Sequence, residues 1–160
     1  MKKLKIYLDT SVISHLLAED TKEKMNDTIL LWNKLKSDKY EVFISTVVLD
    51  ELEKCSEPKR TLLIESLENI NFDIIEGTDE IDILAKEYVV SKVLSENNFA
   101  DCLHISSAVV NECDLIISWN FKHLVNFNTI KNVKIVNSVN NYKEINIITP
   151  AIFIGDEKNE

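Results

Sequence analysis

Apolar residues along the chain fall into short runs that alternate with longer stretches at helical spacing. Leu4-Lys5-Ile6-Tyr7-Leu8 reads as a first strand, and Thr10 to Leu17 as a short helix. Between Thr21 and Ser37, Met25, Ile29, Leu30, Trp32 and Leu35 recur at roughly 3.6-residue spacing, the mark of a helix with one apolar stripe. Glu41 to Ser45 reads as a second strand. Thr46 to Cys55 and Thr61 to Leu67 read as helices separated by Pro58, whose ring breaks the backbone ladder. Further on, the pattern predicts a short extended piece at Phe72–Ile75 and helices at Glu80–Leu94 and Asp101–Cys113. It predicts strands at Asp114–Ser118 and Val133–Val136, and an edge strand at Ile145–Ile148. Strands that alternate with helices imply a mainly parallel sheet covered on both faces, an α/β fold.

The length of 160 residues suits one domain, expected over 1–150 with a polar C-terminal tail at 151–160. No run of 18 apolar residues is present, so no membrane span is expected. The short, Asp9-bearing start makes a poor signal peptide, and the expected compartment is the cytoplasm. Cys55, Cys102 and Cys113 are widely spaced with no C-x-x-C pair. They are read as reduced thiols, and a zinc site is not expected. The net charge is −9, with Arg60 the single arginine. That disfavours extensive duplex binding through phosphate neutralisation, but it leaves open an acidic enzyme whose metal ions supply the positive charge.

In parallel sheets, sites form beyond the carboxyl ends of the strands, so polar residues there are the candidates. Asp9 follows the first strand and precedes Thr10-Ser11; it can cap a helix or belong to a site. Glu51 falls within the apolar arc of Val47, Val48, Leu52 and Cys55, whereas Asp50 and Glu53 point away. A carboxylate on a core-facing side is costly unless paired or metal-bound; the alternative is an edge glutamate whose stem snorkels to water. Asp101 shares a face with Ile105 and Ala108 and can also be read as a cap. Ser118 and Asn120 follow an Ile-rich strand and can present oxygens to the same crevice, or form a polar turn. Three carboxylates brought together repel one another, each pair at about 4 Å costing on the order of 4 kcal/mol. A divalent cation offsets that, and an all-oxygen donor set suits Mg²⁺ or Mn²⁺. The matching chemistry is phosphodiester hydrolysis by activated water.

Four segments together resemble the PIN-domain family, and the resemblance covers most of the chain. They are Ile6-Tyr7-Leu8-Asp9-Thr10-Ser11-Val12-Ile13-Ser14, Ser45-Thr46-Val47-Val48-Leu49-Asp50-Glu51-Leu52-Glu53, Asp101-Cys102-Leu103-His104-Ile105 and Ser118-Trp119-Asn120-Phe121-Lys122-His123-Leu124. The resemblance implies a Rossmann-like α/β/α sandwich and Mg²⁺- or Mn²⁺-dependent cleavage of RNA. It implies a site of Asp9, Glu51, Asp101 and Asn120, with Thr10, Ser11, Ser118 and His104 as secondary candidates. The bare single domain is similar to VapC-like toxins of type II toxin–antitoxin pairs, which implies a homodimer and a small antitoxin partner. Many members have Asp where this chain has Asn120; a neutral amide lowers the site charge from −4 to −3 and weakens the case for a second metal. Two alternatives stand beside the toxin: an RNA-processing nuclease, and a degenerate binding module. A D-x-D phosphatase does not fit, because position 11 is Ser.

Single-stranded or loop RNA is the expected substrate class. His104 is read as a structural hydrogen-bonding residue and stands ahead of His15 and His123 as a possible ligand or base. Trp32 and Trp119 are read as buried, with base stacking the alternative for Trp119. Lys54, Lys59, Arg60 and Lys122 are read as solvated surface, with RNA phosphates as the alternative.

Overall fold

A computed structural model of the chain describes residues 2–155. Five strands form one all-parallel sheet: β1 (Leu4–Leu8), β2 (Tyr40–Ser45), β3 (Asp73–Ile75), β4 (Leu115–Ile117) and β5 (Asn146–Ile148), in the order β3-β2-β1-β4-β5. Helices cover both faces. Alternation along β1 sends Ile6 and Leu8 to one side, where they meet α1 (Thr10–Ser14), α2 (Lys22–Leu35), α3 (Thr46–Glu53), α4 (Lys59–Leu67) and α8 (Pro150–Phe153). Tyr7 points to the other side, toward α5 (Asp79–Val90), α6 (Phe99–Val110) and α7 (Phe127–Val139). Burial on both faces explains why the strands read as near-continuous apolar runs. Fully burying each Leu or Ile contributes about 1.5–3 kcal/mol.

Strand order reverses between β1 and β4. In such sheets a crevice opens beyond the carboxyl ends at the reversal, and Asp9 and Ser118 lie on its two sides. Among the described residues, no helix is long and apolar enough to cross a membrane.

The strand expected at Val133–Val136 is corrected: these residues lie inside helix α7. Asn126 caps that helix, its side chain accepting from Thr129 N, and Thr129, Val133, Val136 and Asn137 form the buried face. Ile135 and Val139 face solvent at 51% and 76% exposure. These outward apolar residues made a helical stretch look like a continuous apolar run. Of the residues expected as a polar tail, those up to Phe153 are helical. Ile154 is fully buried with the α2 side of the core, so packing runs on through α8; residues 156–160 of that expected tail lie outside the described residues.

Helices α5 and α6 end earlier than the apolar pattern suggests, at Val90 and Val110 rather than Leu94 and Cys113. Each is stopped by a left-handed residue, Lys92 (φ 60°) and Glu112 (φ 57°), and Asn141 (φ 62°) follows α7 in the same way. The next amide closes the turn in each case: Val93 N to Tyr88 O, Cys113 N to Ala108 O and Tyr142 N to Asn137 O. This termination normally uses glycine, but the chain has only two glycines, so side chains bear the left-handed cost. Replacing Glu112 by Gly should therefore raise stability by about 1 kcal/mol, read as an increase in the urea midpoint without a change in m-value.

Candidate metal centre

The end of β1 turns directly into α1, and Asp9 is the N-cap residue between them. Its Oδ1 accepts from Ser11 Oγ (2.6 Å) and from Val12 N (3.3 Å), and its Oδ2 accepts from Ser118 Oγ (2.6 Å). The capping reading and the site reading of Asp9 therefore describe the same side chain. Ser11 Oγ also accepts Trp119 N at 2.9 Å, and Ser118 Oγ accepts Asn120 N at 2.9 Å. The two serines thus tie the ends of β1 and β4 together across the strand-order reversal.

Glu51 sits on α3, half-buried, with Asp50 and Glu53 exposed beside it. Its Oε1 takes both of its hydrogen bonds, from Thr10 Oγ1 (2.9 Å) and His104 Nε2 (2.5 Å); among the described residues, no donor reaches Oε2. Asp101 lies in the first turn of α6, two residues inside Phe99, and does not cap it. Instead its Oδ2 meets His123 Nδ1 at 2.9 Å, and its Oδ1 lies 3.5 Å from Asn120 Nδ2. The expected residues thus fall into two hydrogen-bonded groups at the carboxyl edge of the sheet, Asp9 with Ser11, Ser118, Asn120 and Asp101, and Glu51 with Thr10 and His104, which feel one another electrostatically.

The fourth corner is oriented by its own turn. Asn120 Oδ1 accepts His123 N at 2.9 Å, so the amide nitrogen is the end that faces Asp101. An aspartate here would place two carboxylates against each other, whereas the amide offers a weak donor.

Two further residues complete the arrangement. His104, 2% exposed on α6, contacts the buried Tyr7 hydroxyl through Nδ1 at 2.7 Å, and that hydroxyl contacts Ser45 Oγ at 2.8 Å. An ionised carboxylate only accepts, so Nε2 of His104 carries the proton shared with Glu51. Nδ1 is left to the Tyr7 hydroxyl, which can donate or accept. Tyr7 carried no polar signal in the sequence, because it reads as one apolar residue of β1. His123 was visible only as one histidine of three, with no spacing to link it to Asp101. The indole N–H groups of Trp32 and Trp119 are satisfied by Ser66 O (2.8 Å) and Thr28 Oγ1 (2.9 Å), which accounts for their burial. Arg60 pairs with Glu57 at 2.8 Å, away from the acids.

Burial pushes the Asp9 carboxyl above its ordinary value, against the pull of His104, Ser11, Ser118 and Val12 N. Burial raises Asp101 as well, opposed by His104 and His123 and reinforced by repulsion from Glu51. For Glu51 burial acts upward, but the hydrogen bond and charge of His104, with Thr10 and Lys54, hold it below the usual range. Among the described residues, no lysine or arginine forms an ion pair with Asp9, Glu51 or Asp101. Nor, among them, is any trio of His, Cys, Asp or Glu gathered tightly enough to grip an ion as placed. The donor set nevertheless fits a hard divalent cation. It is carboxylate oxygen, it is desolvated without a fixed cation, and it keeps Oε2 of Glu51 and one lone pair of Asp9 Oδ2 uncommitted.

The PIN domain family model matches residues 6–122, from β1 to the loop after β4. Among solved structures, the chain is similar to the structure of VapBC2 from Rickettsia felis bound to a DNA fragment from their promoter. Identity there is 17%, over 91% of this chain and 98% of that one, with a TM-score of 0.55. It is also similar to VapC20 of Mycobacterium tuberculosis, a Sarcin-Ricin loop cleaving toxin. That likeness has 16% identity over 88% of this chain and 98% of that one, with a TM-score of 0.57. At such identities the likeness is one of fold, and it bears out the expected PIN-like α/β/α architecture. No curated protein sequence matches the chain. Because the family match spans most of the chain and takes in Asp9, Glu51, Asp101 and Asn120, the chain belongs to the PIN domain family.

Proposed function

We propose that the chain is a divalent-metal-dependent endoribonuclease, and that it acts as the toxin of a type II toxin–antitoxin pair. The observation that carries the nuclease reading is the set of three carboxylates at the strand-order reversal, buried at Asp9 and half-buried at Glu51 and Asp101, with no lysine or arginine ion pair among the described residues. The toxin role is supported by the fold shared with VapBC2 and VapC20, and with it come a homodimer and a small antitoxin as partners.

Asp9, Glu51 and Asp101 would hold Mg²⁺ or Mn²⁺. The bound ion would supply an acidified water and neutralise charge on the scissile phosphate. Ser11 and Ser118 fix Asp9 in place, and Thr10 and His104 fix Glu51, so that these oxygens need little reorganisation. Tyr7 in turn fixes the ring of His104. Asn120 keeps Asp101 aimed into the crevice without adding a fourth negative charge. Single-stranded or loop RNA is the substrate class, since its backbone is accessible there. Asn120 also favours a second reading, a degenerate module that binds RNA or protein without cutting; calorimetric titration with Mn²⁺ separates the two, since a degenerate module would take up no ion.

Purified protein should cleave RNA with Mn²⁺ or Mg²⁺ and stop on addition of EDTA. Asp9→Asn and Asp101→Asn should each lower the rate on the order of 100-fold or more; wild-type rates in both would rule out the assignment.

Metal-free protein carries a distinct signature. Asp9 has a raised folded pKa, so the folded state holds its proton more tightly than the unfolded chain does. Its ionised form therefore costs stability at neutral pH, and that cost disappears as pH falls through the folded value toward the ordinary 3.8. Metal-free Asp9→Asn should melt at or above the wild-type temperature near pH 7, with the gap closing toward pH 4. Added Mn²⁺ should raise the melting temperature of wild type but not of the variant.

Tyr7→Phe leaves buried His104 Nδ1 without a partner and removes one of the two partners of Ser45 Oγ, which keeps Val47 N at 3.2 Å. It should cost about 1–3 kcal/mol in chemical denaturation, with a fall in Mn²⁺ affinity through the loosened Glu51. Unchanged ion affinity would show that the Tyr7–His104 contact does not position Glu51.

A further inference from the structure

We infer that the loop after β4 and the start of α7 form a platform for single-stranded RNA, with Phe121 and Phe127 stacking on unpaired bases and Lys24 and Lys131 taking the neighbouring phosphates. This rests on the nuclease reading and names how the substrate would be held beside the carboxylates.

The loop is stiffened by its own hydrogen bonds. Asn120 O accepts from Leu124 N (3.0 Å) and Val125 N (2.9 Å). Asn126 Nδ2 donates to both Phe121 O and Lys122 O at 3.0 Å, and Thr129 Oγ1 donates to His123 O at 2.9 Å. Leu124 is fully buried and pins the loop to the core. On this anchored frame Phe121 and Phe127 still stand 49% and 76% exposed. Each ring carries an ammonium: Lys24 Nζ lies 5.2 Å from the Phe121 centroid and Lys131 Nζ 5.9 Å from that of Phe127. Trp119 is the wall behind, 7% exposed, 6.3 Å from Phe121 between centroids, and under the same Lys24 at 5.6 Å.

The platform adjoins the site. Asn120 and His123 bracket Phe121 and Lys122 in sequence, and both contact Asp101. A nucleotide on Phe121 would therefore sit one residue away from a side chain that touches the acid cluster.

A paired aromatic face and cation is what one nucleotide of a single strand offers partners to, a flat base and a phosphate. Duplex RNA hides its base faces and would lose the stacking half of the contact. With a net charge of −9 and one arginine, the chain cannot rely on a broad basic surface, so stacking must supply much of the grip. A nonpolar protein partner fits less well, because covering these rings would also bury two ammonium groups.

The test is fluorescence anisotropy in EDTA, which removes cleavage. The probe is a labelled mixed-sequence single-stranded RNA oligonucleotide, alongside the same backbone with abasic sites and the matching duplex. Wild type should prefer the intact single strand over both. Phe121→Ala should weaken binding roughly tenfold, Phe121→Trp should restore it, and Lys24→Ala should flatten the salt dependence. In cleavage assays with Mn²⁺, Phe121→Ala should raise KM more than it lowers kcat. Equal binding by wild type and Phe121→Ala, equal binding of abasic and intact RNA, or no binding by wild type in EDTA would each overturn the platform. The two readings fail separately. RNA binding that depends on Phe121 without metal-dependent cleavage sinks the nuclease and spares the platform; cleavage by a protein indifferent to Phe121 does the reverse.

Discussion

Parallel pairing sends the carboxyl end of every strand to one edge of the sheet, and the rest of the molecule follows from what accumulates there. β1 pairs with both β2 and β4 in register, Ile6 opposite Val42 on one side and Leu115 on the other. The residues leaving these three strands therefore emerge side by side. Asp9 comes from the first, Ser45 and then Glu51 from the second, Ser118 and Asn120 from the third. Asp101 arrives separately, from the first turn of α6, which the core holds against Tyr7 and Ile116. A one-residue slip of β1 against β2 and β4 would move Tyr7 to the opposite face and separate it from His104.

Much of this was legible because each level of the sequence gave the same answer. β1, β2 and β4 are apolar runs of strand length, and α3 shows Glu51 intruding on a face that otherwise buries Val48 and Leu52. The misreadings have a common physical origin. The chain ends helices with Lys92, Glu112 and Asn141 where glycine would have marked the stop, so the apolar pattern runs past the ends of α5 and α6. In α7, outward Ile135 and Val139 filled the polar phase of the helix, and the capping Asn126 looked like any other asparagine in a chain rich in them. Tyr7 was beyond sequence reasoning for a different reason. Its phenyl ring belongs to the core, and its hydroxyl gains a role only because residue 104 is brought beneath it from another helix.

Asn120 shows how a departure from the family pattern is accommodated. Its amide oxygen is taken by the backbone of its own turn, and its nitrogen lies at the long distance of 3.5 Å from Asp101. An aspartate would have needed a cation to tolerate Asp101 so close; the amide does not. The site is therefore less repulsive when empty of metal, and burial rather than crowding is the main cause that raises Asp101.

The choice of partners around the acids matters as much as the acids. Desolvated carboxylates are usually stabilised by a lysine or arginine, and such a pair would cancel the charge that draws in a divalent ion. Here hydroxyls, amides and imidazoles do the holding. Thr10, Ser11 and Ser118 orient the oxygens without neutralising them, and each hydroxyl can turn toward another partner at little cost. Tyr7, buried and hydrogen-bonded on both sides, locks the one imidazole that touches Glu51. Two of the chain's cations, Lys24 and Lys131, lie instead over the exposed rings of Phe121 and Phe127. On the proposed nuclease reading the work would be divided: the acids would take the metal, while the adjoining loop would offer its rings and ammonium groups to a polyanionic strand.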